Sequence, residues 1–243
     1  MKHNKTDKDL KSFTRRIIIA VLLVIIIASA ISLVKEWMDA AAQRRLEESL
    51  AEAAKQTETE PPETEKETEA ETEAPYVSPI DFTPLLETNP DTIGWIRVPD
   101  TKIDYPIVQS PDNQYYLHKN FEGNDSVYGA IYLDADSKSD FSGWNNPIYG
   151  HHMKDGSMFK DVVRFKDQAF FESHRYFEIY TPERTIHLKT LGCYYSDSNG
   201  IVRKTTFKSQ ASFDKWVSER LAPCSFAEAP KQPFDSMFVL VTC

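Results

Sequence analysis

The hydrophobic pattern changes character twice along the chain. Residues 17–34 (IIIAVLLVIIIASAISLV) form an apolar run interrupted only by Ser29 and Ser32. Its 18 residues carry no charge, and about that many are needed for a helix to cross roughly 30 Å of hydrocarbon. From residue 76 onward, short apolar and aromatic runs are separated by Pro, Gly, Asn and Asp. This second pattern is typical of a mainly β domain, so the sequence predicts a membrane helix followed by one β domain.

The β pattern predicts individual strands and a few helices. Residues 93–98 and 103–108 flank the turn sequence Pro-Asp-Thr and predict a hairpin, with a second hairpin around Pro182. Further predicted strands are 130–133, 147–149, 176–180, 185–195 and 238–242. Ser209 is a suitable cap for a helix ending at Leu221, whose apolar positions lie on one face; these are Phe213, Trp216, Val217 and Leu221. Residues 112–117 and 157–163 predict helices of one or two turns each. The predicted fold class is therefore mainly β, with short peripheral helices.

The charges around the apolar run predict its orientation. Six Lys and Arg side chains against two Asp occupy residues 1–16, and this positive bias favours a cytoplasmic N-terminus. The part of the chain after Val34 is then expected outside the cell membrane. The alternative is a cleaved signal peptide, because Ala28-Ser29-Ala30 resembles a cleavage site. The apolar run continues past that site, which favours a single-pass anchor.

The net charge of -9 comes mostly from one short tract. Residues 57–75 contain eight Glu and one Lys, a low-complexity composition with too little apolar surface to fold. Residues 36–56 are rich in helix-forming side chains. We therefore expect a basic tail at 1–16, a membrane helix at 17–34, a helical stalk and acidic spacer at 35–75, and a domain at 76–243. No basic patch indicates nucleic-acid binding.

Three cysteines, Cys193, Cys224 and Cys243, follow the membrane helix. An odd number leaves at least one thiol without an intramolecular disulfide. Cys193 lies in a strand-like run, where a buried structural thiol is expected, and Cys224 lies in a polar loop. Cys243 follows the apolar run FVLV and a Thr, so it is predicted at the end of a buried strand. That position favours Cys243 as the nucleophile.

Two adjacent histidines follow another predicted strand, NPIYG. His151 and His152 would point to opposite faces of that strand, and no nearby cluster of Cys or carboxylates completes a set of metal ligands. We therefore predict neither a metal nor another cofactor. A Cys and a His at strand ends are the pair required for acyl transfer through a thioester.

Four segments of the sequence closely resemble the class B sortases. They are LLETNPDTIGWIRVPDTKIDYPIVQ, DNQYYL, YGHHMKDGSMF and VLVTC, within residues 81–243. The resemblance implies a closed β-barrel and a membrane-anchored transpeptidase that cleaves a sorting signal after Thr. It further implies that exported proteins with a C-terminal sorting signal are the substrates and that a cell-wall peptide amine accepts the acyl group. The matching positions are the nucleophile Cys243, the catalytic His151, and the groove residues Asn113, Leu117 and Tyr149.

The sequence also differs from the family pattern. His152 replaces the usual Asn, Val239 replaces the first Thr of the cysteine motif, and Val241 stands where class B usually has Ser. Sortases carry a catalytic Arg on the strand after the cysteine, whereas this sequence ends at Cys243. We therefore expect that the coding sequence continues with that strand and its Arg, and that the chain is inactive without them.

Two other functions remain open at the sequence level. The fold could serve as a peptide-binding module without turnover, or as a cysteine peptidase that releases the acyl group to water. Reactivity of the Cys243 thiol separates the binding module from an enzyme. Product analysis with and without an added amine separates the peptidase from the transpeptidase.

Overall fold

The computed structural model describes residues 3–55, 76–196, 201–230, 234 and 236–242. The acidic tract predicted as a spacer and the predicted nucleophile Cys243 therefore lie outside the described residues. The chain divides into two compact units, Met1–Arg45 and Leu46–Cys243.

One long helix, α1 (His3–Ala53), contains the apolar run. The part Phe13–Ala53 is long and apolar enough to cross a membrane, and its most apolar window is not buried by other parts of the protein. A signal sequence near the N-terminus can meet the same criteria of length and composition. The helix predicted beyond residue 36 is present and ends at Ala53.

The second unit is built on one curled sheet of seven strands. The strands are β1 (Thr92–Arg97), β2 (Asp104–Val108), β3 (Ile131–Leu133), β4 (Asn145–Tyr149), β5 (Tyr176–Tyr180), β6 (Thr185–Lys189) and β7 (Met237–Val241). Their order across the sheet is β6-β5-β1-β2-β3-β4-β7. The predicted mainly β fold and both predicted hairpins are confirmed. The strand predicted over 185–195 is too long, because after Lys189 the chain leaves β5 and pairs instead at Gly192 with Ala227.

The pairing of β4 with β7 brings the carboxyl ends of two distant strands together. The two strands are parallel, with Tyr149 opposite Val241, and the Gly150 N–H donates to the Val241 carbonyl at 3.0 Å. The carboxyl ends of parallel neighbours emerge at the same edge of a sheet. Gly150 and Thr242 therefore leave the sheet side by side.

The helices of the second unit are short. They are α2 (Thr83–Thr88), α3 (Tyr115–His118), α4 (Gln168–Ser173) and α5 (Gln210–Leu221), with 3-10 helices at Phe159–Lys166 and Ile201–Arg203. The Ser209 side chain accepts from the Ser212 N–H and caps α5 as predicted. Phe213, Trp216 and Val217 are buried on its inner face. Neither α2 nor α4 was predicted, because six residues are too few to show a helical period.

The end of α1 packs into the core of the second unit. Leu50 and Ala54 are buried in one cluster with Ile80, Phe82 and Trp95. Lys55 pairs with Ile80 as an isolated bridge, and the Asp81 N–H donates to the Ala54 carbonyl at 3.1 Å. The compact unit thus begins at Leu46, before the predicted domain start at residue 76.

Candidate active site

Two glycines allow neighbouring atoms to approach the backbone closely at the end of β4. A Cβ on Gly150 would lie 2.5 Å from Ile131 Cδ1 and 2.7 Å from Phe159 Cγ, distances that real Cβ atoms do not reach. Gly129 has φ of +60°, and a Cβ there would lie 2.6 Å from the Tyr116 carbonyl oxygen and 3.1 Å from His151 Cδ2. The imidazole of His151 is therefore packed directly against the Gly129 backbone.

The half-buried His151 ring is oriented by one hydrogen bond. Its Nε2 lies 2.9 Å from the carbonyl oxygen of Leu117, in α3. A carbonyl oxygen only accepts, so this bond requires that Nε2 carries a hydrogen. In the neutral ring Nδ1 is then unprotonated and available as a base.

His152 contacts a different element from His151. Its Nε2 lies 2.6 Å from Lys160 Nζ, on the 3-10 helix Phe159–Lys166. Its backbone pairs with Met158 as an isolated bridge. The Lys160 ammonium donates to Nε2 of this ring, so His152 makes a structural hydrogen bond away from His151.

The predicted groove residues Asn113 and Tyr149 meet on a buried carboxylate that sequence analysis did not select. Asp134 is fully buried, and its Oδ2 accepts from the Tyr149 hydroxyl at 2.7 Å and from Asn113 Nδ2 at 3.0 Å. The Arg203 Nε donates to the same oxygen at 3.1 Å. Burial, followed by the hydrogen bond and negative charge of Asp134, raises the pKa of Tyr149 far above its ordinary value. The phenol therefore stays a hydrogen-bond donor.

The third groove residue, Leu117, links the histidine to the core. Its half-buried side chain packs against the cluster that contains Tyr116 and Tyr132, while its carbonyl accepts from His151. Tyr149 also packs against this cluster and stacks on Tyr132 with ring centroids 5.1 Å apart. The structure thus brings Leu117 to His151, and it brings Asn113 to Tyr149.

The two described cysteines are free and lie outside this cluster of contacts. Cys193 is half-buried rather than fully buried, and its Sγ contacts the Val162 carbonyl at 3.8 Å. Burial raises the pKa of both Cys193 and Cys224, so neither is activated as a thiolate. Within the described part of the chain, no group of three or more His, Cys, Asp or Glu side chains could hold a metal ion.

Comparison with known proteins gives consistent results, although no family model matches the chain. Sortase B of Listeria monocytogenes is 49% identical over 78 residues, 32% of either chain. Sortase B of Staphylococcus aureus is 25% identical over 138 residues, 57% of either chain. The match thus spans about a third of the length of the Listeria relative and somewhat over half of the length of the Staphylococcus relative.

Solved structures match over a larger part of the chain. The structure of Listeria monocytogenes sortase B has a TM-score of 0.61 and 30% identity, covering 67% of this chain and 94% of that one. Bacillus anthracis sortase B has a TM-score of 0.67 and 29% identity, covering 85% and 92%. The fold is that of the sortases, which are cysteine transpeptidases. Within that class, the chain belongs to the sortase B family.

Proposed function

We propose that this protein is a membrane-anchored cysteine transpeptidase with Cys243 as nucleophile and His151 as its acid-base partner. The observation that carries the proposal is the parallel pairing of β4 with β7, whose carboxyl ends emerge together. Cys243 follows Thr242 directly in the sequence, and consecutive Cα atoms are about 3.8 Å apart. The α1 helix supplies the anchor, with the basic residues 1–16 in the cytoplasm and the second unit outside.

The chemistry proceeds in two acyl transfers. The Cys243 thiolate attacks the carbonyl carbon of a Thr in the sorting signal of an exported protein, and the peptide C–N bond breaks as the protonated His151 donates a proton to the leaving amine. An amine of a cell-wall peptide then attacks the thioester and loses its proton to His151. The new amide forms, and the Cys243 thiolate is released. The Nε2 contact with Leu117 leaves Nδ1 of His151 to exchange the proton.

The peptide is held beside this pair by Asn113, Leu117 and Tyr149. Leu117 contributes apolar contact next to His151, while the amide of Asn113 and the phenol of Tyr149 are held by hydrogen bonds rather than free to rotate. Preorganised side chains cost less ordering entropy when a peptide binds. No cofactor takes part in this scheme.

Variants of the protein expressed from its native gene test the assignment. Cys243→Ala and His151→Ala should each abolish cleavage of Thr-containing sorting peptides, with losses of at least about a hundredfold for the histidine. His152→Ala is the matched control and should retain turnover, because its ring contacts Lys160 instead.

Two results would contradict the assignment. One is transfer by Cys243→Ala, and the other is loss of activity in His152→Ala as complete as in His151→Ala. Products are analysed with and without an added amine, since a product formed only by water would make the protein a peptidase.

A further inference from the structure

Asp134 is a buried charge to which the scheme above gives no role. It follows β3 directly and its side chain is fully buried. Its Oδ1 accepts from the Asp136 N–H at 3.0 Å, while its Oδ2 accepts from three side chains. A buried carboxylate is costly unless it is paired and hydrogen-bonded, and here both conditions are met.

The three donors come from separate parts of the chain. Asn113 precedes α3, Tyr149 ends β4 and Arg203 ends a 3-10 helix. The Asn113 amide is held from both sides, because its Oδ1 accepts from the Ala135 N–H at 2.9 Å while its Nδ2 donates to Asp134. One carboxylate therefore sets the rotamers of two groove side chains that do not lie on neighbouring segments.

Arg203 is the cation of this cluster. Its side chain is 48% exposed, although its Nε donates to the fully buried Asp134. The negative charge of Asp134 raises the pKa of Arg203 further, so the guanidinium stays charged. Its Nη2 is 3.8 Å from the exposed carboxylate of Asp136, which leaves part of the guanidinium facing solvent.

We propose that Asp134 is a positioning residue for peptide binding and that Arg203 holds it through an ion pair and adds a positively charged wall to the same site. The inference rests on the proposed function, because the groove residues are those of the proposed transpeptidase. Peptide recognition then depends on a buried carboxylate and on a cation at the end of the 3-10 helix Ile201–Arg203, and a peptide with an acidic side chain beside Tyr149 is favoured.

The first experiment measures peptide affinity without turnover. All variants carry Cys243→Ala, and the probe is the tightest-binding member of a fluorescein-labelled peptide library with one fixed Thr. Asp134→Asn should raise Kd at least roughly tenfold, because the carboxylate's charged hydrogen bonds to the groove residues are lost. Asp214→Asn makes the same change at an exposed carboxylate of α5, hydrogen-bonded to Gln210 on the same helix, and should leave Kd unchanged.

A second variant carries the test if Asp134→Asn does not fold. Arg203→Gln changes a half-exposed side chain and should also raise Kd, by several-fold. The double variant should bind no more weakly than Asp134→Asn alone, because both changes break the same network. Unchanged Kd in both folded single variants would overturn the inference.

A spectroscopic readout separates positioning from general loss of structure. With tyrosine labelled by ¹³C at the ring, the Tyr149 Cζ chemical shift should move in Asp134→Asn relative to the parent protein, because the hydroxyl loses its hydrogen bond to the carboxylate. The same signal in Asp214→Asn should match the parent. An unmoved Tyr149 chemical shift in a folded Asp134→Asn protein would also overturn the inference.

The results also separate this inference from the proposed function. Turnover that survives Cys243→Ala refutes the proposed nucleophile, while the Kd comparison still decides the role of Asp134. A catalytically active protein in which Asp134→Asn and Arg203→Gln bind normally refutes only the positioning role. A protein whose Cys243→Ala form binds no member of the library refutes both.

Discussion

The orientation of the His151 ring depends on close backbone contact as well as on its hydrogen bond. The His151 ring lies against Gly129, and the strand end that carries it is closed by Gly150. Both contacts exclude a Cβ atom, so the geometry depends on two residues that carry no chemistry. Gly129 also has a positive φ, which an L side chain adopts only with strain.

We predict that Gly129→Ala lowers kcat/KM at least roughly tenfold and destabilises the protein by about 1–3 kcal/mol. The added Cβ would meet the Tyr116 carbonyl and displace the His151 ring. The control is Gly143→Ala, where the nearest atom to a Cβ is Asn146 Oδ1 at 3.4 Å and φ is not positive. Peptide turnover and thermal melting check both variants, and a Gly129→Ala protein with normal turnover would show that His151 tolerates the shift.

Whether a site residue can be predicted depends on the signal that it leaves in the sequence. His151 stands out because an imidazole after an apolar strand is unusual, and Asn113, Leu117 and Tyr149 were found only through motif resemblance. Asp134 gives no such signal, since a lone Asp after a short strand resembles any turn residue. Arg203 is 69 residues further on, and only the folded chain brings the two together.

Strands were predictable as elements, whereas their arrangement was not. Apolar runs bounded by turn residues located all seven strands, and turn chemistry located both hairpins. The parallel pairs β2-β3 and β4-β7 join segments far apart in sequence. No local pattern encodes such pairs. The early end of β6 likewise depends on a tertiary contact, because Glu228 pairs its N–H with the Leu191 carbonyl at 2.9 Å.

We predict that the segment beside β6 loosens in acid. Lys189 and Arg175 both contact the Glu228 carboxylate, and the hydrogen bonds from Lys189 and then Arg175 lower the pKa of Glu228 to about 2. A depressed carboxyl pKa adds stability that is present above roughly pH 5 and is lost as the pH falls towards 2.

Glu228→Gln checks this pH dependence. The variant should melt below the parent protein at pH 7, and the difference should shrink between about pH 5 and pH 2 because the parent loses its ion pairs there. Asp214→Asn, on the exposed side of α5, is a control with the same charge change. A difference for Glu228→Gln that stays constant with pH would contradict the assignment.

At the scale of the whole molecule, the acidic tract does not separate the helix from the β domain. Lys55 and Ile80, on either side of it, are paired with each other. The described residues on either side of the tract therefore meet at one point of the second unit. The predicted stalk at 35–75 thus includes a part of the domain itself, because Leu46, Leu50 and Ala54 pack on the core.

We predict that shortened forms of the protein differ sharply in stability. A form that begins at Leu46 should melt within a few degrees of the parent. A form that begins at Tyr76 should melt roughly 10 °C lower or fail to fold, because it lacks Leu50 and its neighbours. Each buried Leu contributes about 2–5 kcal/mol, and each kcal/mol corresponds to about 2–4 °C at this size.

A third form isolates the acidic tract from the helix end. Deleting residues 60–72 from the form that begins at Leu46 keeps Leu50 and Ala54 while removing six of the eight Glu and the one Lys of the tract. Shortening a loop whose ends are already paired lowers the entropy cost of closing it. Halving its length changes this free energy by only about 0.6 kcal/mol. This form should therefore melt at or slightly above the temperature of its parent. A melting temperature as low as that of the form beginning at Tyr76 would mean that the acidic tract, rather than the end of α1, stabilises the domain.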